Sequence, residues 1–106
     1  MLTRRIAEMK GGWFIGDFEP SVLRTKAFEV AHHRYPAGYV GEPHVHRIGT
    51  EYNYILRGRL VASGRELGAG DIFVYQPGEV SDVRFLEESD LVIVKTPSVP
   101  GDKFEV

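Results

Sequence analysis

The stretch GYVGEPHVHRIGTEYNYILRG, residues 38–58, contains two histidines one residue apart and a glutamate five residues after the second. Successive side chains of an extended strand point to opposite faces, so His44 and His46 should share a face. Two neighbouring imidazoles suit a borderline divalent cation such as Zn, Fe, Ni or Mn. A His-x-His pair alone is a weak signal, because two surface histidines fit it equally well.

Glu51 can join the histidines only if the chain bends between them. It lies an odd number of residues beyond His46, so in a straight strand it would face the other way. Gly49, between Ile48 and Thr50, supplies a residue at which the backbone can turn easily. We therefore predict a corner between two strands that brings Glu51 back to the two imidazoles.

Beyond this corner, strict alternation assigns the side chains to two faces. Those sharing the face of Glu51 are Asn53, Ile55 and Arg57, and those on the opposite, apolar face are Tyr52, Tyr54 and Leu56. Asn53 is expected to orient an oxygen-rich ligand through its amide. Arg57 is expected to bind a carboxylate or phosphate, or alternatively to reach solvent. We expect this apolar face to be shielded from water, either by a second sheet or by a dimer partner.

The rest of the chain predicts an all-β sandwich or small barrel. Short stretches rich in aliphatic and aromatic residues alternate with Gly and Pro turn signals; they span 22–35, 51–58, 59–64, 65–71, 72–78, 80–86 and 90–97. The segment DLVIVK (90–95) is apolar enough for a strand buried on both faces. One short helix is expected at 3–10, and the C-terminal KTPSVPGDKFEV (95–106) is expected to run as an extended tail over the surface.

Length and composition exclude several classes of protein. The chain has 106 residues, a formal net charge of -2 and no cysteine, which excludes disulfides and thiolate metal sites. Its 13 Lys and Arg residues are scattered rather than clustered, so neither a nucleic acid nor a membrane is predicted as a partner. No segment has the apolar run of a signal peptide or a membrane span, and a soluble cytoplasmic protein is expected.

The spacing of Gly38, His44, His46, Glu51 and Gly58 resembles the first signature of the cupin family throughout. GAGDIFVYQPGEVSDVRF (68–85) is similar to the second signature. The resemblance implies a double-stranded β-helix (jelly-roll) barrel, usually dimeric, with a divalent metal and a small-molecule site inside. It implies one domain over 1–106, with the barrel at about 22–97 and flanking segments at 1–21 and 98–106.

The chain departs from the second signature at two positions. The family usually has proline where Gln76 stands and a third metal-binding histidine where Ser81 stands, and a hydroxyl is a poor ligand for a divalent transition metal. By alternation Ser81, Val83 and Phe85 should face the cavity. The remaining donors, His44, His46 and Glu51, have the composition of a two-histidine, one-carboxylate triad with open positions. The same set is also what remains after a site has lost one ligand.

Other side chains are candidates for ligand binding or proton transfer. Gln76 is expected to orient a ligand beside Asn53, and Ser81 to contact that ligand. Tyr35 and Tyr75 are candidate general acids, although aromatic strand packing is the commoner role for such tyrosines. His32 and His33 are adjacent, so only one can face the cavity.

Three functions are compatible with these residues and with the resemblance to cupins. The first is a metal-dependent isomerase or dioxygenase acting on a sugar, hydroxy acid or keto acid. The second is a non-catalytic small-molecule-binding or sensor protein. The third, which only the resemblance implies, is a metal-free sugar-nucleotide epimerase or isomerase. A homodimer is expected in each case.

Overall fold

The computed structural model describes all 106 residues, which form ten β-strands and two short 3-10 turns. The strands are β1 (Trp13–Ile15), β2 (Glu29–Tyr35), β3 (His44–Val45), β4 (Thr50–Arg57), β5 (Arg59–Ala62), β6 (Arg65–Gly68), β7 (Ile72–Tyr75), β8 (Val83–Phe85), β9 (Ser89–Thr96) and β10 (Phe104–Glu105). The predicted all-β class is confirmed. No helical segment has the length and apolar character needed to cross a bilayer.

The strands form two opposed sheets. The larger sheet has the order β1-β2-β9-β4-β7, and all its named pairs are antiparallel. The smaller has the order β6-β5-β8. Single bridges connect Val40 to Arg84 and His44 to Ser81, so β3 and its partner β10 continue the smaller sheet past β8.

The core lies between the two sheets and takes residues from both. Its buried members are Ala31, Ile55, Leu60, Ala62, Phe85, Leu91 and Ile93. β9 is the central strand of the larger sheet, but only one of its faces is fully buried. Val92 and Val94, on the other face, are half-buried because no second layer covers the outside of the sheet. The prediction of a strand buried on both faces was wrong for this reason.

The predicted N-terminal helix over 3–10 is also wrong. The structure has two three-residue 3-10 turns there, Ile6–Glu8 and Lys10–Gly12, and no side chain caps either one. A helix of fewer than about 12 residues is marginal unless its apolar face packs on a core. Here only Met9 is buried, so the segment stays in single turns.

The C-terminal segment is not a loose surface tail. Phe104 pairs with Val45 and Glu105 with His44, so β10 extends the sheet next to the first histidine. The guanidinium of Arg47 lies 3.8 Å from the centre of the Phe104 ring, which adds a cation–π contact. The end of the chain therefore forms part of the wall around the predicted site.

Candidate metal and ligand site

A buried carboxylate holds the corner between β3 and β4. Asp102 Oδ1 accepts the backbone N–H of Arg47 at 2.8 Å, and Oδ2 accepts that of Gly49 at 2.8 Å. The N–H of Ile48 donates to both oxygens, at 3.3 and 3.2 Å. Burial acts to raise the pKa of Asp102, but these three backbone donors outweigh it and lower the pKa. The bend predicted around Gly49 is present, and the C-terminal segment stabilises it.

The ring of His44 is oriented by its own backbone. Its Nδ1 lies 2.9 Å from the carbonyl oxygen of Glu42. A carbonyl can only accept, so Nδ1 carries a proton, and in the neutral ring the lone pair is on Nε2. Metal-binding histidines are typically held in this way, with one nitrogen bonded to a carbonyl and the other free for the metal.

His46 lies beside His44 and is almost completely buried, with 4% of its surface exposed. The two ring centres are 5.0 Å apart and the planes meet at 86°. Burial, and then the charge of Lys95, lowers the pKa of His46 to about 4. The imidazole is therefore neutral at physiological pH, as a metal ligand must be.

Glu51 lies on the wall of the same cavity as both histidines. Its Oε2 accepts a long hydrogen bond of 3.4 Å from the amide of Asn53, which is 4% exposed. As the side chains stand, no three imidazole or carboxylate groups in the chain are close enough together to enclose a cation. The donor types nevertheless fit a divalent transition metal, because two imidazoles and one carboxylate face a common space.

Ser81 lies directly opposite His44 on the neighbouring strand segment. The backbone N–H of Ser81 donates to the His44 carbonyl at 2.7 Å, and the N–H of His44 donates to the Ser81 carbonyl at 3.2 Å. Ser81 is buried and lines the cavity with Val83 and Phe85, as alternation predicts. The serine thus stands next to the first histidine with a short hydroxyl in place of an imidazole.

The cavity has two parts that share several wall residues. The smaller, about 130 Å³, lies between the sheets and is lined by Asn53 and Ser81, among others. The larger, about 410 Å³, opens between the N-terminal and C-terminal segments. Residues lining both parts are Tyr35, His44, Glu51, Ile93 and Lys103. A ligand beside the histidines can therefore extend in two directions.

Tyr35 and His33 form one aromatic wall of this cavity. Their rings stack at 5.4 Å, and Tyr35 also stacks on Phe85 at 4.2 Å. Burial, and then the charge of Glu51, raises the pKa of Tyr35 to about 12. Tyr35 stays protonated and can donate a hydrogen bond.

Of the adjacent histidines His32 and His33, only His33 faces the cavity. His32 points outward, and its Nε2 lies 3.0 Å from Asp90.

Gln76 and Tyr75, expected near the site, lie elsewhere. Gln76 is exposed in the turn after β7, where its backbone N–H donates to Glu79 at 2.8 Å, and it does not line the cavity. Tyr75 is buried, but its hydroxyl bonds that of Ser63 at 2.8 Å, outside the cavity. Gln76 falls in a turn, where strand alternation does not apply, and the Ser63 hydroxyl satisfies the polar end of Tyr75.

Arg57 was expected on the cavity face, and the structure corrects this. The pairing of β4 with β9 shifts register between Ile55 and Arg57, which turns the end of the strand outward. Arg57 is exposed and donates to Asp90 at 2.7 Å and to Glu88 at 2.7 Å. It does bind carboxylates, but they belong to the chain itself.

Asp90 is the carboxylate at the centre of this outer cluster. Burial opposes ionisation of Asp90, yet hydrogen bonds from Arg34, Arg57 and His32 lower its pKa to about 2.

Three lysines line the cavity, Lys10, Lys95 and Lys103, and the sequence did not identify them as candidates. Lys95 Nζ lies 2.8 Å from a carboxylate oxygen of Glu29, whose other oxygen accepts the Ser98 hydroxyl at 2.7 Å. Lys103, in the segment that was expected to run over the surface, lines both parts of the cavity. Lys95 could have been found, because it alternates with the buried Leu91 and Ile93. Lys103 carries no such signal, since its segment has no periodicity.

Solved structures resemble this chain over most of its length. KdgF from Halomonas sp. is 25% identical with a TM-score of 0.68, covering 72% of this chain and 74% of the other. An uncharacterised conserved protein with a double-stranded β-helix domain, from Klebsiella pneumoniae, is 27% identical with a TM-score of 0.66, covering 80% and 81%. The chain is a member of the cupin superfamily. These similarities confirm the resemblance to the cupin family that the two sequence signatures indicated. They also confirm the expected double-stranded β-helix.

Two enzymes share the fold of this cupin at lower identity. The DMSP lyase DddQ from Ruegeria pomeroyi is 19% identical with a TM-score of 0.74, over 89% of this chain and 49% of the lyase. Oxalate decarboxylase from Bacillus subtilis, which has Mn(II) centres, is 20% identical with a TM-score of 0.64, over 76% of this chain and 24% of the decarboxylase. The cupin thus spans about half of one enzyme and a quarter of the other. No family profile and no curated protein matches the sequence.

Proposed function

We propose that this cupin binds a divalent transition metal (Fe, Mn, Zn or Ni) through His44, His46 and Glu51. The observation that carries the proposal is the hydrogen bond from His44 Nδ1–H to the Glu42 carbonyl. It leaves a free Nε2 lone pair on a ring beside His46, in a cavity that Glu51 also lines. Binding requires the three side chains to draw closer together, and the metal charge supplies the attraction.

A small oxygen-rich ligand, such as a sugar, hydroxy acid or keto acid, is proposed to lie beside the metal. When bound, the metal would act as a Lewis acid on a chelating ligand or, if it is iron, support oxygen chemistry. The protonated hydroxyl of Tyr35 and the amide of Asn53 face the same cavity and can orient ligand oxygens. Ser81 contributes a short side chain that leaves space next to His44.

The proposed site is compatible with an enzyme and with a protein that binds its ligand without converting it. A metal-dependent isomerase or dioxygenase should lose activity without metal and regain it when metal is restored. A non-catalytic binding or sensor protein should show saturable ligand stabilisation and no product. A metal-free epimerase is favoured by one observation, the stacked pair of His33 and Tyr35 on the cavity wall. In that case ligand binding should be indifferent to a chelator.

Elemental analysis of protein purified without chelator or nickel resin tests the metal centre. We expect near-stoichiometric metal in the native protein and none in His44→Ala/His46→Ala, because the double variant keeps one ligand of three. His32→Ala is the matched control, since His32 points away from the cavity, and it should retain the metal. Metal at a hundredfold excess over its Kd should also stabilise the native fold by about 2.7 kcal/mol.

An empty native protein whose melting temperature does not respond to Mn, Fe, Co, Ni, Cu or Zn would refute the metal centre. So would equal metal content in the double variant and the native protein, because the bound metal would then lie elsewhere.

We also propose that the outer face of the larger sheet joins two copies of the chain. Tyr52 and Tyr54 on β4 pair with Val74 and Ile72 on β7, and Leu56 extends the row. These five side chains are between 38% and 67% exposed. A contiguous apolar face of this kind usually marks an interface. Because the face carries no charged residue in this row, a second copy presenting the same face is a suitable partner.

Light scattering at micromolar concentration should give twice the monomer mass of 11.9 kDa. Tyr54→Asp should give the monomer mass, because it places a charge in the centre of the face. Val40→Asp introduces the same charge on the opposite sheet and should remain dimeric. A native monomer would refute the proposed interface.

A further inference from the structure

Each of the four carboxylates that line the larger part of the cavity has a partner other than Lys10 or Lys103. Glu19 accepts from Arg24, and Glu51 accepts a long hydrogen bond from Asn53. Glu29 is bonded by Lys95 and Ser98, and Asp102 is bonded by three backbone N–H groups. Lys10 and Lys103 line the same space, and neither has a carboxylate within 4.0 Å. Cations left unpaired beside a cavity favour a negatively charged ligand.

His33 adds an unused polar atom to the same wall. Its Nε2 is shielded from solvent and makes no hydrogen bond. The ring is held edge-on to Trp13 at 5.5 Å and stacked on Tyr35 at 5.4 Å. A buried polar atom without a partner is costly, and a ligand atom that bonds it after a small shift of the ring recovers that cost.

Lys103 borders the same space as His33 and the two candidate metal-binding histidines. Burial chiefly lowers the pKa of His33, and the charges of His32 and Lys103 lower it further. Lys103 lines both parts of the cavity, so its ammonium group is available to a ligand that lies beside His33 and the candidate metal ligands.

We propose that Lys103 and His33, supported by Lys10, form an oxyanion subsite for a carboxylate or phosphate group at one end of the ligand. The inference rests on the proposed function, since the other end of that ligand lies at His44 and Glu51. The Lys103 ammonium and the N–H of a His33 tautomer protonated at Nε2 both donate to the oxyanion. Trp13 and Phe18 wall the same space. Such charge-assisted bonds are stronger where aromatic walls exclude water.

Paired probes that differ in one terminal charge test the subsite by calorimetry on the full chain as purified. Malate is compared with lactate, which has the same hydroxy acid end but lacks the second carboxylate. Glycerol 3-phosphate is compared with glycerol in the same way. We expect at least one charged probe to bind about tenfold more tightly than its neutral-ended partner. The preferred pair identifies the oxyanion as carboxylate or phosphate.

Three variants assign that preference to named residues. Lys103→Gln should abolish it and leave the affinity for the neutral-ended probe unchanged, whereas Lys103→Arg should retain most of it. His33→Phe keeps the aromatic stack, so the melting temperature should hold while part of the preference is lost. Lys26→Gln removes an exposed lysine that does not line the cavity, and it should behave as the native protein.

Metal content measured on the same samples separates the two proposals. A Lys103-dependent preference in protein without metal would leave the subsite standing and remove the metal centre. Metal-loaded protein that binds both members of each pair equally would overturn the subsite, as would the absence of binding by every probe at millimolar concentration. Equal losses in Lys26→Gln and Lys103→Gln would also overturn it, because general surface charge would then explain the preference.

Discussion

Asp102→Ala should lower the free energy of unfolding by about 3 kcal/mol, because it leaves three backbone N–H groups at the corner without their acceptor. The carboxylate is buried, with 6% of the residue exposed, so water cannot easily replace it. The donors are the N–H groups of Arg47, Ile48 and Gly49. Urea denaturation, followed by circular dichroism, measures the difference directly.

The matched control is Asp102→Asn, which keeps one carbonyl oxygen and replaces the other with an NH₂ group. It should cost roughly half as much, since the amide oxygen can still accept from part of the corner. The same two variants should reduce metal retention in that order, because the corner places His46 and Glu51 on one cavity. A loss below about 1 kcal/mol in Asp102→Ala would show that strand pairing alone maintains the corner.

Gly58→Ala should destabilise the fold on the order of 4 kcal/mol, from backbone strain and steric overlap together. Gly58 has φ of +101°, which side-chain-bearing residues rarely adopt. An added Cβ would lie 2.1 Å from Ser89 Oγ, 2.6 Å from the Glu88 carbonyl and 2.7 Å from Ser89 Cα. Ser89 is fully buried and its hydroxyl donates to the Glu87 carbonyl at 2.8 Å, so it has little freedom to move.

Gly64→Ala separates the two contributions. Gly64 also has a positive φ, +80°, but an added Cβ there would meet nothing within 4 Å. Only the backbone cost of about 1 kcal/mol should remain. Thermal or urea unfolding of both variants therefore measures the steric part by difference. Equal destabilisation at the two positions would mean that the chain near Ser89 shifts to accommodate the methyl group.

The alternation of side chains explains why much of the barrel could be predicted. Asn53 and Ile55 face inward and Tyr52 and Tyr54 face outward, because each strand has one buried face. A shift of the strand pairing by one residue would move the buried side chains to the solvent face. The same argument placed Ser81 on the inner wall. It failed at Arg57, where a register shift ends the regular pairing, and at Gln76, which lies in a turn.

The sequence by itself determined the all-β class, the His-x-His pair and the bend after which Glu51 lines the same cavity, because these follow from local periodicity and a turn residue. Only the tertiary structure decided what surrounds them. Asp102 and Lys103 lie more than 50 residues after the corner along the chain, and β10 brings them to it by pairing with β3. Contacts between segments so distant in sequence depend on how the sheets close, and no pattern within either segment records them.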